Sequence, residues 1–424
     1  MSSREEIQVD WLAILLYGLL VIFGWVNIYA ANYDPESSLG ILSFRLESGK
    51  QLMFIGGAIF IITAILVIDF KFYDLTAYIF YAIFIALLVG VLVFGKTIGG
   101  AKSWFELGAF KLQPSEFAKF TTALALAKYI GNNPNFRFGK LQDTAIVTLM
   151  VGVPTGLILL QPDAGTVLVF CSFILCFYRE GLTPVILWIG LAAILLFILT
   201  LVVAKVSLLI GIGVLAALVI FFQARKQGFN RVSWFIMGSL VVISGYIFSV
   251  DYLFNNVLKS HQQTRILLTL NLLEDPNGGG YNLAQSKTTI SSGGMWGKGF
   301  LEGDRTQNGW VPEQSTDFIF TTLAEEHGWV GTTFVVILFS ALLMRIILLA
   351  ERQKSRFARV YGYAVFGIFF AHIMINIAMT IGLFPVVGIP LPFFSYGGSS
   401  LWSFTILLFI LIKFDAHRGQ VLMR

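Results

Sequence analysis

The amino-acid sequence predicts an all-α, polytopic integral membrane bundle of about twelve transmembrane helices with one large extracytoplasmic loop. Three observations lead there. Hydrophobic residues fill 57% of the 424 positions and charged residues 12%, against about 25% charged in soluble domains. Apolar runs of about 20 residues, enough to cross roughly 30 Å of hydrocarbon, recur along the chain. Basic residues collect in short loops, at 223–231, at 351–356 and around Lys413 and Arg418, as they do in cytoplasmic loops.

The expected spans are 11–31, 52–69, 74–95, 115–131, 143–160, 164–178, 183–203, 206–223, 231–250, 329–350, 358–383 and 398–413. The chain 1–424 is then a single polytopic membrane domain. Segment 1–10 is polar and acidic and lacks the form of a cleaved leader; the first apolar run is long enough to stay in the bilayer. With the N-terminus inside, the basic loops fall on the cytoplasmic side, and an even number of spans returns the C-terminus there. The outer loops are 96–113 and 251–328. The second far exceeds the roughly 12–15 residues beyond which a connection is usually functional or disordered. Its aromatics, amides and short apolar runs predict folded structure.

Several function classes drop out. The net charge of +5 is spread in the positive-inside pattern, so no nucleic-acid partner is expected. Cys171 and Cys176 lie in an apolar segment and carry no redox message. The four histidines have no metal-ligand spacing. Gly278-Gly279-Gly280 lacks the ending of a phosphate loop, and no nucleophilic Ser or Cys motif is present.

The residues able to do chemistry lie near the outer loops. Asp317, in Pro312-Glu313-Gln314-Ser315-Thr316-Asp317-Phe318, reads as a general base at the lipid boundary. The competing reading is an acid at a helix start, which Ser315 and Thr316 favour. Glu313 is a second candidate carboxylate, and Glu325 and Glu326 read as a charged interfacial patch. Glu116 and Lys119 share a helix face and form either a structural ion pair or a polar cavity for a charged headgroup. Asp163 either caps the next helix or lines the same cavity. Lys259, Gln263 and Arg265 bring cations and an amide together, which suits a phosphate or pyrophosphate. Ser399 belongs to an irregular re-entry, 384–400, of the kind tolerated where it lines a cavity or packs helices.

Taken together, His261-Gln262-Gln263-Thr264-Arg265, Gly280-Tyr281-Asn282, Gln285-Ser286-Lys287, Thr316-Asp317-Phe318, Asn376, Gly382-Leu383-Phe384-Pro385 and Phe393-Phe394-Ser395-Tyr396-Gly397-Gly398-Ser399-Ser400 resemble the SEDS family of membrane glycosyltransferases (the FtsW/RodA/SpoVE group). The likeness runs over nearly the whole chain and is RodA-like in its His261-Gln262-Gln263 and Tyr281-Asn282. It implies polymerisation of lipid II into peptidoglycan strands for elongation and rod shape. It makes Asp317 the essential acid and brings in Trp104, Glu116 and Lys119. It also implies ten spans, so 183–223 reads as an inserted transmembrane hairpin.

The expected enzyme works at the outer face of the inner (cytoplasmic) membrane by inverting transfer. Its expected partners are lipid II, a polyprenyl-pyrophosphate-linked glycan, a class B penicillin-binding transpeptidase and other elongation-complex membrane proteins. No cofactor is required by the sequence, though the chemistry has room for a divalent cation, magnesium or manganese. The competing functions are a lipid II flippase, an FtsW-like division polymerase and a non-catalytic scaffold.

Overall fold

The computed structural model describes residues 9–34, 40–98, 100–108, 110–273, 275 and 280–419. Gly278-Gly279, named above, lie outside them. The elements in order are α1 (Trp11–Ala31), α2 (Glu47–Val67), α3 (Phe70–Phe94), β1 (Lys96–Ile98), β2 (Ala101–Leu107), β3 (Phe110–Leu112), α4 (Pro114–Asn132), α5 (Leu141–Leu159), α6 (Ala164–Cys171), α7 (Phe173–Arg179), α8 (Pro184–Val202), α9 (Lys205–Gln227), α10 (Arg231–Asn256), α11 (Ser260–Thr269), α12 (Tyr281–Ser292), α13 (Asp304–Gln307), α14 (Ile319–Glu351), α15 (Arg356–Thr380) and α16 (Gly398–Ala416). They divide into two compact units, Met1–Leu182 with Asn282–Arg424, and Thr183–Tyr281, where the sequence suggested one domain.

The helical membrane bundle is as expected, with differences in detail. Ten helices among the described residues are long and apolar enough to span, rather than twelve. The other two expected spans are helical but of another kind. α4 buries every residue from Pro114 to Ala127 against its neighbours, chiefly α3 and α15. Enclosed by protein, it can carry Ser115, Glu116, Lys119, Thr121 and Thr122, which lower its hydropathy. The apolar stretch Ala164–Arg179 is short and broken at Ser172 into α6 and α7; at about 1.5 Å per residue it falls short of a bilayer.

The chain is also not purely α-helical. The outer loop 96–113 folds into a three-stranded antiparallel sheet, β1-β2-β3. Lys96 faces Trp104 across one pair, and Glu106 faces Lys111 across the other.

Several helices outrun their apolar cores. α2 begins at Glu47 rather than 52, because its first turn has internal work: Ser48 Oγ donates to Ile41 O at 2.9 Å. α3 begins after Asp69, whose carboxylate accepts from Lys71 N at 2.8 Å and caps it. α14 begins at Ile319 rather than 329. It turns sharply at Gly328, where φ 62° and ψ −161° need a residue without Cβ, so the polar turn 319–327 is helix and not loop. Likewise α10 runs on to Asn256, and the expected loop 251–328 contains α11, α12 and α13. In the second unit, α8, α9 and α10 pack on one another; α8 and α9 cover the segment 183–223.

Candidate active site

One end of the first unit collects the C-termini of α1, α3, α5 and α15 and the N-termini of α4, α6, α14 and α16. The linking contacts are direct: Gln314 Nε2 donates to Ala31 O at 2.6 Å, Lys102 N to Gln161 O at 3.1 Å, and Gln113 N to Ser399 Oγ at 3.3 Å.

Asp317 stands at this end, half-buried, just before α14. The turn that delivers it is made by Glu313, which takes φ 57°. The Glu313 carbonyl accepts from Thr316 N at 3.2 Å and Phe318 N at 3.1 Å, and its carboxylate accepts from Thr316 Oγ1 at 3.0 Å. Glu313 is thus exposed and engaged in its own turn. α14 has Phe318 at its N-cap, so Asp317 lies one residue before the cap position. Asp163 is the opposite case. It caps α6, accepting from Thr166 N at 3.0 Å and Thr166 Oγ1 at 2.8 Å, and from Gln113 Nε2 at 3.1 Å.

The main chain around Asp317 is pinned to the 381–397 connection. Asn376 Nδ2 donates to Asp317 O at 2.8 Å and to Ile389 O at 2.7 Å. Ser395 Oγ donates to Thr316 O at 2.6 Å, and Tyr396 N to Ser315 O at 2.9 Å. Gly388, at φ 70°, faces the acid: a Cβ there would lie 3.3 Å from Asp317 Oδ2. Gly165 of α6 presses on the other side of the same loop, its virtual Cβ 2.7 Å from Val387 O.

Behind the loop lies a buried polar core. Lys119 Nζ donates to Glu116 Oε1 at 2.9 Å and meets His372 Nε2 at 2.8 Å; its ammonium also sits 4.8 Å from the Phe404 ring centre. The second carboxylate oxygen of Glu116 has no hydrogen-bond partner. Ser403 Oγ donates to Glu116 O at 2.6 Å. Ser399 Oγ donates to Lys111 O at 2.9 Å and ties α16 to β3.

The structure therefore brings Asp317, Glu116, Lys119, Ser399 and the half-buried Trp104 of β2 into one unit. Lys259, Gln263 and Arg265 belong to the other. There Gln263 Nε2 donates to Phe254 O at 2.6 Å and Leu258 O at 3.1 Å, closing the end of α10, while Lys259 N donates to Gln262 Oε1 at 3.0 Å.

Glu325 and Glu326 are not an interfacial patch. Both are buried, because the glycine-rich segment 293–303 wraps the turn that holds them: Lys298 N donates to Glu325 O, and Gly299 N to Glu326 O, each at 3.0 Å. Glu325 accepts from Lys298 Nζ at 2.6 Å, Thr306 N at 2.8 Å and Thr306 Oγ1 at 2.7 Å. Burial works against the Lys298 charge, but the Glu325 and Asp304 carboxylates outweigh it and hold the ammonium above the usual lysine range.

Sequence reading assigned no role to His372, Asn376 as a side chain, or Lys287. The first two are polar residues one turn apart inside an apolar run, a spacing that places them on one helix face. Lys287 is exposed and lies against the start of the 381–397 connection, its Nζ 2.6 Å from a virtual Cβ on Gly382. Among the described residues no three His, Cys, Asp or Glu side chains converge as a metal site.

A family model described as a cell cycle protein, FtsW/RodA/SpoVE, matches residues 10–227 and 178–420. The peptidoglycan glycosyltransferase MrdB of Escherichia coli is 31% identical over 418 residues, covering 98% of this chain and 96% of that protein. The peptidoglycan glycosyltransferase RodA of Treponema pallidum is 30% identical, covering 99% and 100%. A solved structure described as the structural coordination of polymerization and crosslinking by a peptidoglycan synthase complex aligns with TM-score 0.72 at 26% identity, over 97% of this chain and 99% of that one. The rod shape determining protein RodA of Thermus thermophilus, at 24% identity and TM-score 0.62 over 97% and 98%, shares the fold.

Proposed function

The chain belongs to the FtsW/RodA/SpoVE family, and from that premise we propose that Asp317 is the general base with which it polymerises lipid II into glycan strands. It is an integral membrane peptidoglycan glycosyltransferase of the elongation type. The observation that carries the role of Asp317 is its setting. Asp317 is half-buried, stands just before α14, and hangs from a main chain fixed by Asn376, Ser395 and Tyr396. A base fixed in this way needs little reorganisation to meet an incoming hydroxyl.

The growing strand, linked to a polyprenyl pyrophosphate, is the donor. A lipid II molecule presents its sugar 4-hydroxyl as acceptor. That oxygen forms a bond to the anomeric carbon as the bond from that carbon to the pyrophosphate breaks, and its proton passes to the Asp317 carboxylate. One displacement inverts an α-linked donor to a β-linked product, so a single carboxylate suffices. Trp104 is assigned to the acceptor side. The exposed ammonium of Lys287 would meet the leaving pyrophosphate. Lys259, Gln263 and Arg265 are proposed as phosphate-binding on the chemistry of their side chains. Glu116, Lys119 and Ser399 would support the headgroup cavity from behind.

Both termini are assigned to the cytoplasm and Asp317 to the outer face. This is supported by the basic residues Arg345, Arg352, Arg356, Arg359 and Lys413, which gather at the end of the unit away from Asp317. The crosslinking partner is proposed as a class B penicillin-binding transpeptidase. The likeness to a complex that couples polymerization and crosslinking supports it. A divalent cation, if used, would come with the pyrophosphate, since magnesium is commonly held by one or two carboxylates and substrate phosphates.

The test uses purified full-length protein and fluorescent lipid II, with products resolved on a gel. Asp317→Asn should abolish strand synthesis while lipid II binding persists. Retained synthesis would move the base elsewhere, and translocation without synthesis would make the protein a flippase.

A further inference from the structure

We infer that His372 is a positioning residue for Asp317, held in one tautomer by the buried Glu116–Lys119 pair. This deepens the proposed role of Asp317 and rests on it. The imidazole bridges two parts of the unit. Its Nδ1 lies 3.1 Å from Pro390 O, and its Nε2 lies 2.8 Å from Lys119 Nζ. A carbonyl oxygen only accepts, so Nδ1 carries the proton and donates it to Pro390 O. Nε2 then accepts from the Lys119 ammonium, because a second N–H would face a charge of the same sign. Lys119 is in turn oriented by Glu116 Oε1 at 2.9 Å. The Phe404 ring stands perpendicular to the imidazole at 4.7 Å and blocks rotation out of this plane.

One helical turn along α15, Asn376 donates to Ile389 O and Asp317 O. His372 and Asn376 thus grip consecutive carbonyls, Pro390 and Ile389, of the loop whose Gly388 abuts the Asp317 carboxylate. Lys119 itself is fully enclosed and is linked to the loop beside Asp317 through His372. If the tautomer reverses, Nδ1 and Pro390 O become two acceptors in contact. The loop must then move, and with it the wall against Asp317. A displacement of about 1 Å at a reacting group costs on the order of a hundredfold in rate.

The two ends of the imidazole can be separated by substitution. His372→Asn places its amide nitrogen near Nδ1 and keeps the donor to Pro390; His372→Gln places its amide near Nε2 and keeps only the Lys119 side. Initial rates of strand synthesis against lipid II concentration are measured for both in full-length protein, after checking that each elutes as a single species. His372→Gln should lower kcat by about tenfold or more with KM within about twofold, and His372→Asn should stay within about threefold of the parent.

The charge-neutral double variant Glu116→Gln/Lys119→Met should lower kcat about tenfold beside His372, but less than about threefold beside His372→Asn, which has no tautomer to lose. Equal losses in the two His372 variants, a change confined to KM, or full additivity with the double variant would each overturn the inference. Should His372→Gln fail to fold, the cycle with His372→Asn still decides it. Asp317→Asn, run alongside, separates the two claims: synthesis surviving that change defeats the role of Asp317, whereas its loss with unaffected His372 variants defeats only the coupling.

Discussion

At one end of the first unit, Asp10 receives Arg345 through Nε at 3.1 Å and a terminal nitrogen at 2.5 Å, and Arg352 at 2.7 Å; Arg352 also holds Asp415. Close by, Glu180 binds Arg356 and Arg359. At the other end, the main chain on either side of Asp317 is held by amides, hydroxyls and carbonyls. The first arrangement neutralises carboxylates and fastens α1, α14 and α16 together. The second fixes the backbone that carries a carboxylate. An acid matched by two arginines is held as an anion within the framework; donors that grip a residue's main chain instead fix the position of the side chain it carries.

Four experiments sharpen or break that contrast. The largest effect is expected for Asp317→Asn, a fall in kcat of about a thousandfold or more with little change in thermal stability; a matching fall in stability would make Asp317 structural. Next is Asp10→Ala, which leaves two arginines facing each other. After allowing for their partial exposure it should cost about 2 kcal/mol of stability, read by thermal unfolding in detergent, while the folded protein still makes strands. Gly388→Ala comes third. It forces a side chain into a left-handed backbone and to 3.3 Å from Asp317 Oδ2, so a cost of about 1 kcal/mol should appear together with a larger loss of rate.

The smallest effect concerns pH. Burial pushes the Asp10 carboxyl up, but hydrogen bonds from Arg345, Ala13 N and Arg352 win and hold it below its ordinary 3.8. A depressed folded pKa means stabilisation present above 3.8 and lost as the pH falls through the folded value. The stability gap between the parent and Asp10→Asn should therefore be constant near neutrality and narrow only below about pH 4.

The contrast also shows what could be read in advance. The membrane class, the helical segments and the basic ends followed from apolar run length and loop charge, because lipid leaves the backbone few alternatives to helix. Asp317 stood out in the sequence as a candidate because a carboxylate beside hydrocarbon has few idle uses. Asp163 resembled it locally, an acid just before a helix, and proved to be a cap. Glu325 and Glu326 looked like a surface pair and proved buried, since the segment that covers them, 293–303, is nearly thirty residues away along the chain.

Composition and pattern along the chain were enough to establish a polytopic helical membrane bundle, because transfer of apolar side chains into lipid is a local, additive effect; the enzyme class came from the family resemblance. Which polar groups meet was settled only by folding. His372 touches Lys119 across 253 positions and Asn376 touches Asp317 across 59. Such hydrogen bonds depend on distances of a few ångströms between separate helices, and no local pattern encodes them.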